Sequence, residues 1–182
     1  CREHGVADIR KGFLLFGSNF LPLIESLEYS MFPYLPNLSG DRVACEELLD
    51  EADIPFGKRG NPILDLDTKE QQSLTENLIP LLDSRLISEV FGQDLVFPDE
   101  KSNGPMRFFS NMMVLFKVAW IRNKYGLSAA MCFGDRAQQL RTLIDESLSL
   151  SKRSLDELPQ MATAIDKESN IADSRVVELE VN

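Results

Sequence analysis

The sequence has little of the side-chain chemistry on which metal sites depend. His4 is the only histidine, and the three cysteines, Cys1, Cys45 and Cys132, are widely spaced with no Cys-x-x-Cys pair. A zinc site of the usual Cys/His type needs four such ligands in closely spaced pairs, and these four residues include no such pair, so this class of site is close to excluded. Three scattered cysteines also make no disulfide framework. We therefore predict reduced thiols and a cytoplasmic or otherwise intracellular location.

Motifs for catalysis are also missing. The sequence contains no Gly-x-x-x-x-Gly-Lys-[Ser/Thr] phosphate loop and no Gly-x-Ser-x-Gly nucleophile elbow. The acids at positions 46, 47, 50, 51 and 53 lack the glycine and the alternate spacing of a calcium loop, which favours a solvated helix face. We therefore expect no catalytic residue, no metal and no cofactor. The question of enzymatic activity stays open but leans towards no.

Long apolar runs are absent from the beginning of the chain. The longest charge-free run in the first forty residues, residues 12–24, is broken by Gly17, Asn19 and Pro22, so it is too short to span a bilayer. Because the sequence begins at Cys1 and not at a methionine, we expect a fragment, a trimmed chain or a processed product. A mature lipoprotein also begins with cysteine, but this interpretation depends on one residue and is not favoured.

The sequence does contain enough apolar residues for a folded core. Of its 182 residues 43% are hydrophobic, and 19 basic against 29 acidic residues give a net charge of −10. This length fits one domain, or one domain followed by a tail. A charge of −10 argues against general binding to nucleic acid or to an anionic membrane.

Capping signals and apolar residues at three- and four-residue spacing recur along the chain. They predict helices over residues 6–16, 19–31, 41–52, 68–90, 105–125, 136–150 and 155–167. Pro80 must kink or split the fourth of these helices, because a mid-helix proline loses a hydrogen bond and clashes one turn back. A polar loop is expected over residues 93–103. The alternating residues 177–181 resemble a strand.

The most apolar of these segments is residues 105–125. Pro105 suits the first turn of a helix, and Gly126 suits a left-handed cap at its end. Apolar side chains go almost all the way round this helix, apart from a narrow polar stripe that includes Asn111. Such helices are usually buried, so we expect Trp120 to be largely buried as well.

The fold prediction follows from this apolar helix. We predict an all-α, single-domain helical bundle of five to seven helices around a central helix near residues 105–125. Residues 1–168 would form the helical domain, and residues 169–182 a C-terminal tail or edge segment.

Charge is distributed unevenly along the chain. Residues 101–141 contain seven basic side chains and a single acid, Asp135. One interpretation is a face that contacts nucleic acid or another anion. The other, which we favour, is that these cations pair with acids of the same fold, such as those of residues 46–53. The candidate contact residues are Arg107, Lys117, Arg122, Lys124, Arg136 and Arg141.

The favoured function is reached partly by exclusion. We predict a non-catalytic protein–protein interaction or assembly subunit, whose partner is another protein or a second copy of the chain. Phe32, Tyr34 and Leu35 are the candidate contact residues, because they place large apolar side chains in a helix end and loop. The alternatives are a nucleic-acid-associated subunit that uses the basic 101–141 face, and a small-molecule or lipid carrier with a cavity in the bundle.

Overall fold

A computed structural model describes residues 7–158, which form seven α-helices and one two-stranded sheet. The strands are β1 (Asp8–Phe13) and β2 (Phe91–Val96). The helices are α1 (Leu23–Glu28), α2 (Arg42–Glu51), α3 (Thr68–Leu78), α4 (Ser84–Val90), α5 (Phe109–Ile121), α6 (Tyr125–Cys132) and α7 (residues 138–158). Short 3-10 turns lie at Phe56–Lys58, Ile63–Asp65, Ile79–Leu81 and Pro105–Arg107. In this part of the chain no helix is long and apolar enough to cross a membrane.

The sheet makes the all-α prediction wrong. The structure is 58% helical, but β1 and β2 pair in antiparallel register, with Asp8 opposite Val96 and Phe13 opposite Phe91. The predicted helix over residues 6–16 is therefore incorrect. The predicted loop over residues 93–103 is incorrect over residues 93–96, which belong to β2, whereas residues 97–103 do form a loop. Strand formation depends on hydrogen bonds to a distant segment, which local spacing of apolar residues does not reveal.

The middle of the chain follows the prediction closely. The predicted helix over residues 68–90 is split at Pro80, since α3 ends at Leu78 and α4 begins at Ser84 after a 3-10 turn. The capping box that opens α3 is made by Asp67 and Glu70, one residue earlier than the Thr68–Gln71 pair that the sequence favoured.

The predicted central helix is two helices. After α5 ends at Ile121, Asn123 adopts a left-handed backbone conformation with φ of 55°, and α6 begins at Tyr125. Gly126 lies inside α6 and is not the cap. Asparagine enters the left-handed region more easily than most residues, because its short polar side chain can hydrogen-bond locally.

Two clusters of buried apolar side chains form the core. The first joins β1 with α1 to α4, and its fully buried members include Leu23, Leu27, Leu49, Leu74 and Leu78. The second lies among α5, α6 and α7 and also takes in Phe16 and Leu21. The helices are thus not arranged around α5 as predicted, because α5 packs only in the second cluster.

The end of the chain lies partly outside the described residues. Helix α7 continues through residue 158, so it covers the predicted helix over residues 136–150 and the start of the one near 155–167. The remainder of that helix, the alternating residues 177–181 and the tail at 169–182 fall outside residues 7–158. The domain boundary at residue 168 stays a prediction.

Candidate partner-binding surface

A buried polar network fixes the position of α5. Asn111 is 0% exposed, its Oδ1 accepts a hydrogen bond from the backbone N–H of Gly17 at 3.1 Å, and its Nδ2 donates to Asn19 Oδ1 at 2.8 Å. Asn19 Nδ2 in turn donates to the carbonyl of Gly104 at 2.8 Å. Buried amides need such partners, so the network holds α5 against the turn that precedes α1.

Asp94 of β2 fixes the N-terminal end of the same helix. Its carboxylate accepts hydrogen bonds from the backbone N–H of Ser110 at 3.2 Å and from the Ser110 hydroxyl at 2.5 Å. A negative charge beside the first N–H groups of a helix is favourable, because these groups lack partners within the helix and carry partial positive charge. Asp94 therefore acts as a tertiary cap for α5.

With these contacts made, α5 turns a largely apolar arc to solvent. Phe109, Met113, Trp120 and Ile121 are all exposed, and Lys117 lies among them. At about 100° per residue these five positions fall within roughly 120° of the helix circumference. We call this set of five residues the α5 arc.

The expectation that Trp120 is buried is therefore wrong, because its side chain is 70% exposed. Asn111, which the sequence placed in a polar stripe, faces the core instead. A helix that is apolar on every side carries no local signal for its buried face. Hydrogen-bond partners elsewhere in the chain decided the orientation.

A loop after α1 lies beside this arc. Ser30 Oγ donates to the carbonyl of Pro33 at 2.6 Å, and the backbone N–H of Leu35 donates to Ser39 Oγ at 2.9 Å. Phe32 and Tyr34 are exposed, whereas Leu35 is fully buried in the first apolar cluster. Of the three predicted contact residues, Leu35 supports the loop from below, and only the two aromatic side chains face solvent.

Two depressions separate the loop from α5. The first, about 360 Å³, is lined by Phe32 and Tyr34 on one wall and by Met113, Val114 and Lys117 on the other. The second, about 190 Å³, lies between Phe32, Val114, Ile121 and the residues of α7 that face them. Phe32 lines both depressions.

Lys117 is held in place by this aromatic ring. Its Nζ lies 4.5 Å from the centre of the Phe32 ring, which is the geometry of a cation–π contact. Trp120 makes a second aromatic contact, an edge-on arrangement with Tyr125 at 5.3 Å between ring centres. We call the α5 arc together with Phe32, Tyr34 and Tyr125 the arc surface.

Most of the predicted basic residues are engaged within the fold. The Lys124 ammonium bonds to Glu146, which lowers the pKa of that carboxyl, and Arg122 Nε lies 3.3 Å from its other oxygen without hydrogen-bond alignment. Arg136 Nη2 lies 2.7 Å from Glu100 Oε1, and this hydrogen bond raises the pKa of Arg136.

The last two predicted cations differ from these. Arg107 donates to backbone carbonyls, including that of Glu100 at 2.8 Å, and Arg141 is exposed with no ion pair to a described residue. Four of the six candidate cations are thus held by acids or carbonyls of the fold, and the acids they meet are Glu100 and Glu146. Those of residues 46–53 have other partners, among them Arg42 with Glu46 and Arg59 with Asp50.

The cysteine thiols differ in their surroundings. Cys45 is buried, its Sγ lies 3.3 Å from the carbonyl of Leu38, and desolvation raises its pKa to about 12. Such a thiol is a core residue and not a nucleophile. Cys132 is exposed. Within residues 7–158 no three His, Cys, Asp or Glu side chains are grouped so that they could hold a metal ion.

A further cavity of about 300 Å³ lies between α5 and α6. Its apolar lining comes mainly from Met106, Met112, Phe116 and Met131, and the ion pair of Arg136 with Glu100 stands at its edge. This volume is at the lower limit for small-molecule pockets. It is the feature of the described residues that bears most directly on the carrier alternative.

Comparison with known protein families finds a match to one part of the chain. Residues 15–94 match the model of the DHH-CID domain, which is fewer than half of the 182 residues. No curated protein matches the chain. The matched residues include most of the first apolar cluster and the loop with Phe32 and Tyr34, but they end before α5. The match to this domain supports a non-catalytic interaction role but identifies no partner.

Sequence reasoning found one side of the arc surface and missed the other. Phe32 and Tyr34 were singled out because a loop has few ways to bury large side chains. Met113 and Trp120 were missed because their helix was assumed to be fully buried. The signal in the sequence was the narrowness of the polar stripe on this helix, because a helix that is apolar over most of its surface can also present an exposed contact face.

Proposed function

We propose that this chain is a protein-interaction module that binds its partner through the arc surface. The observation that carries the proposal is the exposure of Phe109, Met113, Trp120 and Ile121 on one side of α5. Exposed apolar residues are ordinary when scattered, but a contiguous group marks contact sites. Tryptophan, tyrosine and methionine are also the side chains that protein interfaces favour.

Two further features support this proposal. The aromatic side chains of Phe32 and Tyr34 extend the apolar area beyond the helix, with depressions on either side of Phe32 that side chains of a partner could fill. The match of residues 15–94 to the DHH-CID domain is also in keeping with an interaction role.

The nucleic-acid alternative has less support. Phosphate binding requires several cations that point together into solvent. Arg122, Lys124 and Arg136 are instead paired with acids, and Arg107 is bound to carbonyls. The fold therefore already engages four of the six candidate cations, although Arg122 and Lys124 share the one carboxylate of Glu146. The carrier alternative depends on one methionine-lined cavity of about 300 Å³.

Site-specific photocrosslinking in the cells of origin tests the proposal. A benzophenone amino acid is placed at Met113 or at Trp120, and at Val43 as a control. Val43 is also exposed, but it lies on α2, outside the arc surface. We expect a discrete protein adduct from the first two positions and none from the third.

The adduct protein is then purified and titrated against the chain. The proposal requires that Trp120→Ser weakens this binding at least about tenfold, since central aromatic residues dominate interface energies. The proposal would be contradicted if the benzophenone at position 43 gave the same adducts as the benzophenone at positions 113 and 120. It would also be contradicted if positions 113 and 120 gave no adduct.

A further inference from the structure

The charges around the arc surface indicate what kind of partner fits it. Lys117 stands in the middle of the arc and has no carboxylate partner among the described residues. At the C-terminal end of α5, Arg122 and Lys124 share the single carboxylate of Glu146. Glu89, which lines the larger depression, is already paired with Arg85 at 3.0 Å.

The surface therefore carries an excess of positive charge, although the whole chain has a net charge of −10. An apolar strip with Lys117 in its middle and Arg122 and Lys124 at one end is complementary to an amphipathic helix whose apolar face is flanked by carboxylates. The strip is one face of a 13-residue helix, and the two depressions between it and the 31–34 loop offer places where side chains of a second helix could pack.

On this basis we propose that the arc surface binds an acidic amphipathic helix of a partner protein, with Lys117 as the residue that selects for acidic side chains. This inference depends on the proposed function and names the chemistry of the partner. A carboxylate of the partner would pair with the Lys117 ammonium, which lies over the Phe32 ring, and the bound helix would exclude water from this pair and so strengthen the attraction.

The acidic helix of the chain itself does not meet this description. Helix α2 has acids on its outer side, but it buries Cys45, Leu48 and Leu49 in its own core. Val43 is its one exposed large apolar side chain. Helix α2 of a second copy would therefore offer charge but not the apolar face that the arc requires.

A displayed peptide library tests the inference with the 182-residue chain as bait. Each peptide has 14 residues with leucine at helical spacing, and the positions beside the leucines are open to Glu, Gln or Lys. We expect the selected peptides to be enriched in Glu over Lys at these positions. Changing those Glu to Gln in a selected peptide should weaken binding at least about fivefold. This factor corresponds to the summed free energies of a few exposed ion pairs.

Lys117→Glu is the decisive variant, and it should reverse the enrichment from Glu to Lys. The matched control is Lys69→Glu, a charge reversal at an exposed position of α3 away from the arc surface, which should leave the enrichment unchanged. Affinities are measured from the fluorescence anisotropy of dye-labelled peptides, because Trp120 is the single tryptophan of the chain and Trp120→Ser would remove an intrinsic signal. The preference should shrink at 0.5 M salt because of screening.

The outcomes separate this inference from the proposed function. Peptides that need Trp120 but show no preference for Glu would overturn the acidic partner and leave the interaction surface standing. No selected peptide at all, or binding unaffected by Trp120→Ser, would overturn both.

Two further experiments test whether the arc surface instead binds a second copy of the chain or a nucleic acid. A dimer in sedimentation that Met113→Lys converts to a monomer would assign the surface to a second copy of the chain. Displacement of the peptides by a single-stranded oligonucleotide at physiological salt, lost in Lys117→Glu, would assign it to nucleic acid. Either result would overturn the acidic-helix proposal.

Discussion

Replacing Asn111 by alanine removes the centre of the polar network that orients α5. Two buried groups lose their partner, the backbone N–H of Gly17 and the Oδ1 atom of Asn19. Each buried polar group left without a partner costs about 1–3 kcal/mol, so we expect Asn111→Ala to lower the free energy of unfolding by about 2–6 kcal/mol. The free energy of unfolding of a typical domain is only about 5–15 kcal/mol in total.

The network also predicts coupling between its members. Asn19→Ala breaks the same bond from the other side, so the double variant with Asn111→Ala should cost less than the sum of the single variants, by at least about 0.5 kcal/mol. Met113→Ala is the control, because this residue lies on the exposed arc of the same helix. Met113→Ala should lower the free energy of unfolding by at most about 1 kcal/mol.

Urea unfolding followed by far-ultraviolet circular dichroism measures these differences. The slope with urea should stay the same among the variants, so that the shifts of the midpoint report stability. If Asn111→Ala costs no more than the Met113 control, or if the two asparagine variants are additive, the network does not hold α5 and the orientation of the arc loses its basis.

Four further outcomes are expected. Trp120 fluorescence in the isolated folded chain should resemble that of water-exposed indole, and a strongly blue-shifted emission would refute the exposed arc. Gly17→Ala should destabilise the chain by at least about 1–3 kcal/mol in urea unfolding, because φ is +82° there and a Cβ would clash with the side chain of Leu21. Alkylation of the native chain, mapped by mass spectrometry, should modify Cys132 but not Cys45. The fold lowers the pKa of Glu146, so this carboxylate stabilises the folded chain at pH values above the usual pKa of glutamate, and this stabilisation is lost as the pH falls through the pKa of the folded state. Glu146→Gln should therefore make the melting temperature less sensitive to acid.

Local signals were enough for much of the N-terminal half of the chain. Asp41 was placed at the start of a helix, and it does cap α2 by accepting from the N–H of Ala44 at 3.0 Å. Pro80 was expected to divide its helix, and it does. Both effects are determined within one helical turn, so the residues that cause them are neighbours in the sequence.

Strand pairing was beyond those signals. Residues 8–13 have apolar spacing that fits a helix, yet they form β1 because β2 supplies hydrogen bonds from far along the chain. The same applies to Asp94, which the sequence placed in a polar loop. Its role as a cap for α5 exists only when β2 lies beside the start of that helix.

The sequence by itself determined that the chain is mostly helical and carries large apolar side chains in the 31–34 loop. These properties follow from composition and short-range spacing. Only the tertiary structure decided which side of α5 faces solvent. That helix is apolar on nearly every side, so its orientation was set by the partners of Asn111, a polar residue that Gly17 and Asn19 draw into the core and that thereby turns Trp120 outwards.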